Sequence, residues 1–206
     1  MYKLLDKTDV SCKLPQIKRS NKLPVVLHKE EVKQLLSAPK YLRHRLILAC
    51  LYGCGLRSYE LCNLRLSDVD LQRNTLLIKK QKGNTDRYVP IGKMLSRGLQ
   101  NYIANERPKV YLFNSQKCDA EQVKPLTTRA IQWIIKENRT KVATHKTITA
   151  HCLRHSYATH LLEAGLNIVA LKELLGHARI ETTLVYLHVA NTGSSEKINP
   201  LDLIYS

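Results

Sequence analysis

Two short stretches of this chain combine side chains that could act on an anion. In Thr149-Ala150-His151-Cys152-Leu153-Arg154-His155-Ser156, His151 and Arg154 are three apart, the spacing that puts them on one helix face, and Thr149 is placed to cap that helix. An anion there meets an imidazole, a guanidinium and the positive end of the helix dipole together. Arg57 follows Gly53-Cys54-Gly55-Leu56 and precedes Glu60 by three residues. A rigid, permanently charged fork thus emerges from a glycine-bearing turn. The same spacing fits a helix-surface ion pair worth roughly 0.2–0.5 kcal/mol, and local sequence does not separate the two.

Three further residues have the right chemistry but ordinary surroundings. Lys82, in Lys79-Lys80-Gln81-Lys82-Gly83-Asn84, is a flexible ammonium able to enter a groove and give up a proton, although turn lysines are usually solvated. His177 directly follows Gly176, a glycine helix stop, and Tyr186 lies nine residues on. A tyrosine among ten normally packs in a core with its hydroxyl satisfied.

Phosphodiester transfer without a metal needs a nucleophile, cationic forks on the non-bridging oxygens and an acid for the leaving oxygen. The sequence has no His-Glu-x-x-His, no Asp-x-Asp pair within an acidic cluster and no glycine loop ending in Gly-Lys-Ser/Thr, so ATP hydrolysis and two-metal nuclease chemistry are not expected. His151 and His155, at i and i+4, also have zinc-ligand spacing, but no carboxylate partner stands nearby. His155 and His160 read as half-buried helix residues. No metal and no cofactor are expected.

These groups must be positioned by a chain of 206 residues, enough for one large domain or two small ones. Its 33 Lys and Arg against 17 Asp and Glu leave +16, a charge that opposes compaction unless a polyanion shares the space, so nucleic acid is the first candidate partner. No apolar run approaches the roughly 18–20 residues that span a bilayer, and Met1 to Val10 lacks the apolar stretch of a secretory signal. The expected location is cytoplasmic and nucleoid-associated, away from membranes. Six cysteines without a Cys-x-x-Cys pair read as reduced core thiols.

Along the chain, Ser11 to Pro24 is polar and basic, an extended arm. Helices are predicted over Glu30 to Ala38, Tyr41 to Cys54, Ser58 to Leu64, Lys93 to Glu106 and Thr127 to Asn138. Ser67-Asp68 opens a turn. Thr75 to Lys79 and Arg87 to Ile91 form a hairpin around the polar turn Gln81 to Asp86. Tyr111 to Phe113 is a strand or core plug. Three helices close the sequence: Ala150 to Ala164, one from Asn167 to Gly176, and a short one over Thr183 to Val189.

Taken in order, Gly55-Leu56-Arg57-Ser58-Tyr59-Glu60-Leu61, Lys82-Gly83-Asn84 ahead of Arg87-Tyr88-Val89-Pro90, His151-Cys152-Leu153-Arg154-His155-Ser156, Leu175-Gly176-His177 and Thr182 to Tyr186 closely resemble the catalytic boxes of the tyrosine recombinase, or phage integrase, family. The resemblance covers roughly residues 24 to 190 and implies a mainly α fold with a small antiparallel β-sheet. It implies that Tyr186 attacks the scissile phosphorus to form a 3′-phosphotyrosine while Arg57 and Arg154 clamp the non-bridging oxygens. By the same resemblance Lys82 protonates the 5′-oxygen, His151 assists proton transfer, His177 donates to a phosphate oxygen, and Glu60 steadies the site from behind.

The implied activity is site-specific cleavage and rejoining of double-stranded DNA without metal or ATP, by a homo-tetramer on DNA or together with a partner recombinase. The expected division is a basic arm over 1–24, the catalytic domain over 25–190, and a tail over 191–206 that docks on a neighbouring protomer. Family members usually carry a separate N-terminal core-binding domain, which is expected to be absent or encoded elsewhere; short single-domain members resembling the fimbrial-switch recombinases exist. The rival readings are a DNA-binding accessory or element remnant without chemistry, and relaxation of supercoils in the manner of type IB topoisomerases.

Overall fold

The computed structural model describes residues 23–79, 86–115 and 123–194. The basic arm up to residue 22, the hairpin turn that carries Lys82, Cys12, Cys118 and the tail from residue 195 lie outside the described residues.

Helix α1 (Lys29–Ser37) buries Val32 and Leu35, three apart on one face. Helix α2 (Leu42–Gly53) is apolar on more than one face after its basic first turn: Leu46, Ile47, Leu48, Cys50 and Leu51 are all buried. A helix apolar on several faces must pack against several neighbours, and α2 sits centrally, against α1, α3 (Ser58–Cys62), α4 (Lys93–Glu106), α5 (Thr128–Arg139) and α6 (Ala150–Glu163). The buried cluster to which α2 belongs also includes Leu99, Ile131, Leu153 and the fully buried Phe113. Four cysteines, Cys50, Cys54, Cys62 and Cys152, are free and buried. Burial pushes the Cys54 and Cys62 thiols up to about 12 and about 11, which keeps them protonated and inert.

The sheet has three antiparallel strands in the order β1 (Val69–Asp70), β2 (Thr75–Ile78), β3 (Arg87–Pro90). The turn expected at Ser67-Asp68 is a single 3-10 turn, Leu66–Asp68, that leads straight into β1 and adds the third strand. In the β2–β3 register Leu76 faces Val89 and Ile78 faces Arg87. With a side-chain period of two, these four share the buried side, whereas Tyr88 is 68% exposed.

Tyr111 pairs with Arg65 in a one-residue bridge, and Leu112 and Phe113 plug the core. Helix α3 ends two residues before the predicted Leu64. The last helix, α8 (Glu181–Ser194), extends beyond the predicted Thr183 to Val189 at both ends. Its first turn begins earlier because the carbonyl of Ile180 accepts from the amides of Thr183 and Leu184. Helix α7 (Ile168–Leu175) ends as the glycine signal predicts, with Gly176 left-handed at φ 62. Together α6, α7 and α8 enclose a second apolar cluster of Tyr157, Ala158, Leu171, Leu175 and Tyr186.

Candidate active site

Gly55 lies at φ 57, and a Cβ there would come within 2.4 Å of the Tyr157 ring. Only glycine lets the chain pass over that ring before α3 begins. Its carbonyl accepts from Arg154 Nη1 at 2.5 Å, so the turn that presents Arg57 also anchors the second arginine of the site.

Arg57 is the N-cap of α3, with extended backbone. Its amide and its Nη1 both donate to Glu60, at 2.8 and 3.0 Å. The local ion pair and the presented fork are therefore one arrangement, because the Arg57 side chain stays 38% exposed while that of Glu60 is only 7% exposed. Glu60 also accepts two hydrogen bonds from Arg87, from Nη1 at 3.0 Å and Nη2 at 2.9 Å. Arg154 Nη1 lies 3.8 Å from the same carboxylate. Burial alone would raise the Glu60 carboxyl, but the Arg87 hydrogen bonds and charge, the Arg57 amide and the Arg154 charge hold it below its ordinary value.

Arg154 is buried on α6, a helix capped by Thr149, whose Oγ1 accepts from the Cys152 amide at 3.1 Å. Its Nη2 donates to the Leu175 carbonyl at 2.6 Å and to Nε2 of His177 at 3.2 Å. Burial and the nearby Arg57 charge bring its pKa down to about 10, still a cation at neutral pH. Because a guanidinium only donates, the His177 Nε2 must accept. The ring proton then sits on Nδ1, which donates to Thr183 Oγ1 at 2.9 Å.

Tyr186 is 4% exposed. Its ring lies nearly parallel to that of His177, with centroids 6.3 Å apart. Its hydroxyl is 3.0 Å from Nδ1 of His155. Burial raises the Tyr186 pKa, while the charges of Arg154 and Arg57 act to lower it. His151, exposed at the start of α6, lies with its ring 6.4 Å from that of His155. His151 and Arg57 line an open cleft of about 610 Å³ together with Tyr59, Gln132, Lys136 and Arg139.

Five of the six expected site residues thus occupy one region: Arg57 and His151 on the cleft, and Arg154, His177 and Tyr186 linked to them through Glu60 and His155. Lys82 lies outside the described residues. Two participants were missed. Arg87 carried a signal in its sequence, since it alternates with Val89 and must share its inward side. His155 was read as a half-buried helix residue; it is half-buried, but it holds the Tyr186 hydroxyl. His160 has a separate partner, the Tyr52 hydroxyl at 2.9 Å from its Nδ1.

A model described as the phage integrase family matches residues 25–192. A tyrosine recombinase XerA of Pyrococcus horikoshii is 37% identical over 201 residues, covering 97% of this chain and 68% of the relative. The crystal structure of XerA recombinase superposes with a TM-score of 0.74 at 33% identity, over 87% of this chain and 64% of that one. A XerH site-specific recombinase bound to palindromic difH substrate gives a TM-score of 0.67 at 26% identity, over 84% of this chain and 52% of that one. The chain therefore spans about two thirds of its curated relative and less of these solved chains. By the extent of the family match and the identity to these relatives, the chain belongs to the phage integrase family, the tyrosine recombinases.

Proposed function

We propose that this protein cleaves and rejoins double-stranded DNA, one strand at a time, through a covalent 3′-phosphotyrosine on Tyr186. The observation that carries the proposal is the chain of contacts that joins the Tyr186 ring through His177 to Arg154 and, through Glu60, to Arg57 on the wall of a cleft that Lys136 and Arg139 also line. A phosphate whose non-bridging oxygens meet the guanidinia of Arg57 and Arg154 has its added negative charge stabilised as phosphorus becomes five-coordinate.

In the cleavage step the Tyr186 oxygen forms a bond to phosphorus, the bond from phosphorus to the 5′-oxygen breaks, and the 5′-oxygen takes up a proton from Lys82. Arg57, more exposed, meets the phosphate from the cleft; Arg154, fixed by two carbonyls, meets it from the protein side. His151 lines the same cleft and assists proton transfer. His177 donates to a phosphate oxygen only when Nε2 carries a proton, so an arriving phosphate must displace the Arg154 contact and change the ring's protonation or tautomer. The phosphotyrosine retains the energy of the broken diester, so a DNA 5′-hydroxyl reverses the step without ATP. Exchange between two duplexes then requires four protomers on DNA, of this chain alone or with a partner recombinase.

The test is a nicked duplex carrying the genomic DNA that flanks the gene, from which the cleaved strand diffuses away and traps the adduct. Tyr186→Phe should abolish the adduct and keep DNA binding. No adduct with the parent protein would instead favour a DNA-binding accessory, and relaxation of plasmid lacking any recombination site would favour a topoisomerase.

A further inference from the structure

We infer that His155 takes the proton from the Tyr186 hydroxyl as the tyrosine oxygen attacks phosphorus. The inference rests on the proposed role of Tyr186 and names the atom that receives the proton its hydroxyl loses. Geometry supports it first: His155 Nδ1 is 3.0 Å from the hydroxyl, within direct transfer distance, and the two rings are 5.6 Å apart. The neighbouring imidazole is otherwise engaged. His177 stacks on the Tyr186 ring, but its Nε2 accepts from Arg154 and its Nδ1 donates to Thr183. His151 faces the cleft, with its ring 6.4 Å beyond that of His155.

The state of the ring fits the task. Burial, followed by the influence of His151 and the positive charge of Arg154, holds the His155 pKa below its ordinary 6.5, so the ring is neutral at neutral pH. With its proton on Nε2, Nδ1 accepts from the phenol. The groups acting here are His151 and Arg154 on α6 and Tyr186 on α8; Arg57 at the start of α3 and His177 before α8 act on Tyr186 in turn. A buried imidazole beside a guanidinium is a weak base in the free protein. A bound phosphate brings negative charge against Arg154 and Arg57 and cancels part of the field that disfavours the imidazolium. The base is therefore strengthened by the substrate, and Tyr186 stays a neutral phenol until a phosphate arrives.

The proton balance closes. One proton leaves Tyr186 for His155 Nδ1, one leaves Lys82 for the 5′-oxygen, and rejoining returns both.

The experiment measures single-turnover adduct formation on the nicked duplex by His155→Asn, whose side-chain oxygen replaces Nδ1 as a hydrogen-bond acceptor but takes no proton. The expected result is a rate at least about 100-fold below the parent, loss of the acid limb of the pH profile, and unchanged DNA binding. A rate within threefold of the parent with the acid limb intact, or a rate above the parent, would overturn the inference, the latter because His155 would be restraining Tyr186. If the substitution prevents folding, imidazole nitrogen shifts of the parent decide the question. Nδ1 bare in the free protein and protonated in the adduct is expected; Nδ1 bare in both overturns the inference. Absence of adduct from the parent, or adduct from Tyr186→Phe, would defeat the underlying reading instead.

Discussion

Arg87 and Glu60 meet as a doubly hydrogen-bonded ion pair, at 3.0 and 2.9 Å, with side chains only 8% and 7% exposed. The pair joins β3 to α3, and the Arg87 Nε donates on to the Leu174 carbonyl at the end of α7 at 2.8 Å. Gly176 closes over it, since a Cβ there would meet Arg87 Nη1 at 2.9 Å. Three segments distant in sequence are thereby held around one carboxylate.

Removing that carboxylate leaves a buried guanidinium uncompensated. Glu60→Gln is expected to cost about 3–5 kcal/mol and to lower the thermal midpoint by roughly 10 °C, with slower adduct formation because Arg57 and Arg154 lose their common anchor. Unchanged thermal denaturation would show that the pair does not hold the site together.

Lysine should replace neither arginine, for different reasons. At position 57 the side chain is partly exposed and meets the cleft. Arg57→Lys should therefore lose cleavage rate while thermal stability stays near that of the parent. Arg154→Lys should lose both, because a single ammonium nitrogen cannot occupy the two places from which Nη1 and Nη2 separately donate to the Gly55 and Leu175 carbonyls. Comparing adduct rates with melting curves for the two variants checks this, and normal cleavage by both would refute their assigned roles.

Acid should unfold the protein in stages. Burial lowers the pKa of His155 and of His160 from 6.5. Folding therefore favours the neutral rings, and that stability, full above pH 6.5, is lost as pH falls through the folded values. The Glu60 carboxyl is also lowered. Burial alone would raise the Glu31 carboxyl, but hydrogen bonds from Lys146, Thr144 and the His28 amide take it down to about 2. The stability from both carboxylates is complete above pH 4.5 and is lost as pH falls through their folded values, about 2 for Glu31. Urea midpoints measured across this range should fall continuously, with a shallower acid limb in Glu31→Gln; a flat profile would contradict the assignment.

DNA binding should weaken steeply with salt as phosphate contacts release counterions, by about 10³-fold between about 50 and 200 mM if six or more phosphates are engaged. Lys136→Ala and Arg139→Ala, which alter the wall of the cleft, should each reduce the salt slope by about one unit. A slope unchanged in both would move the DNA path elsewhere on this +16 chain.

Much of this was legible in the sequence because it depends on local signals. The apolarity of α2 on more than one face, the Thr149 cap and the Gly176 stop each follow from a few adjacent residues. Arg87 was readable in principle, since alternation with Val89 puts a guanidinium on the buried side of β3, where only a carboxylate would compensate it. The His155 contact was not. Helix α6 packs against α2, α5, α7 and α8, so its sequence shows no single apolar stripe, and the partner of His155 lies 31 residues away on another helix. Long-range meetings of this kind have no local pattern.

The most direct measurement of the central claim is peptide mapping by mass spectrometry of the covalent complex, after nuclease trimming of the trapped DNA. A nucleotide 3′-phosphate carried on Tyr186 is the predicted result. The same adduct on any other residue, or an undiminished yield from Tyr186→Phe, would contradict it.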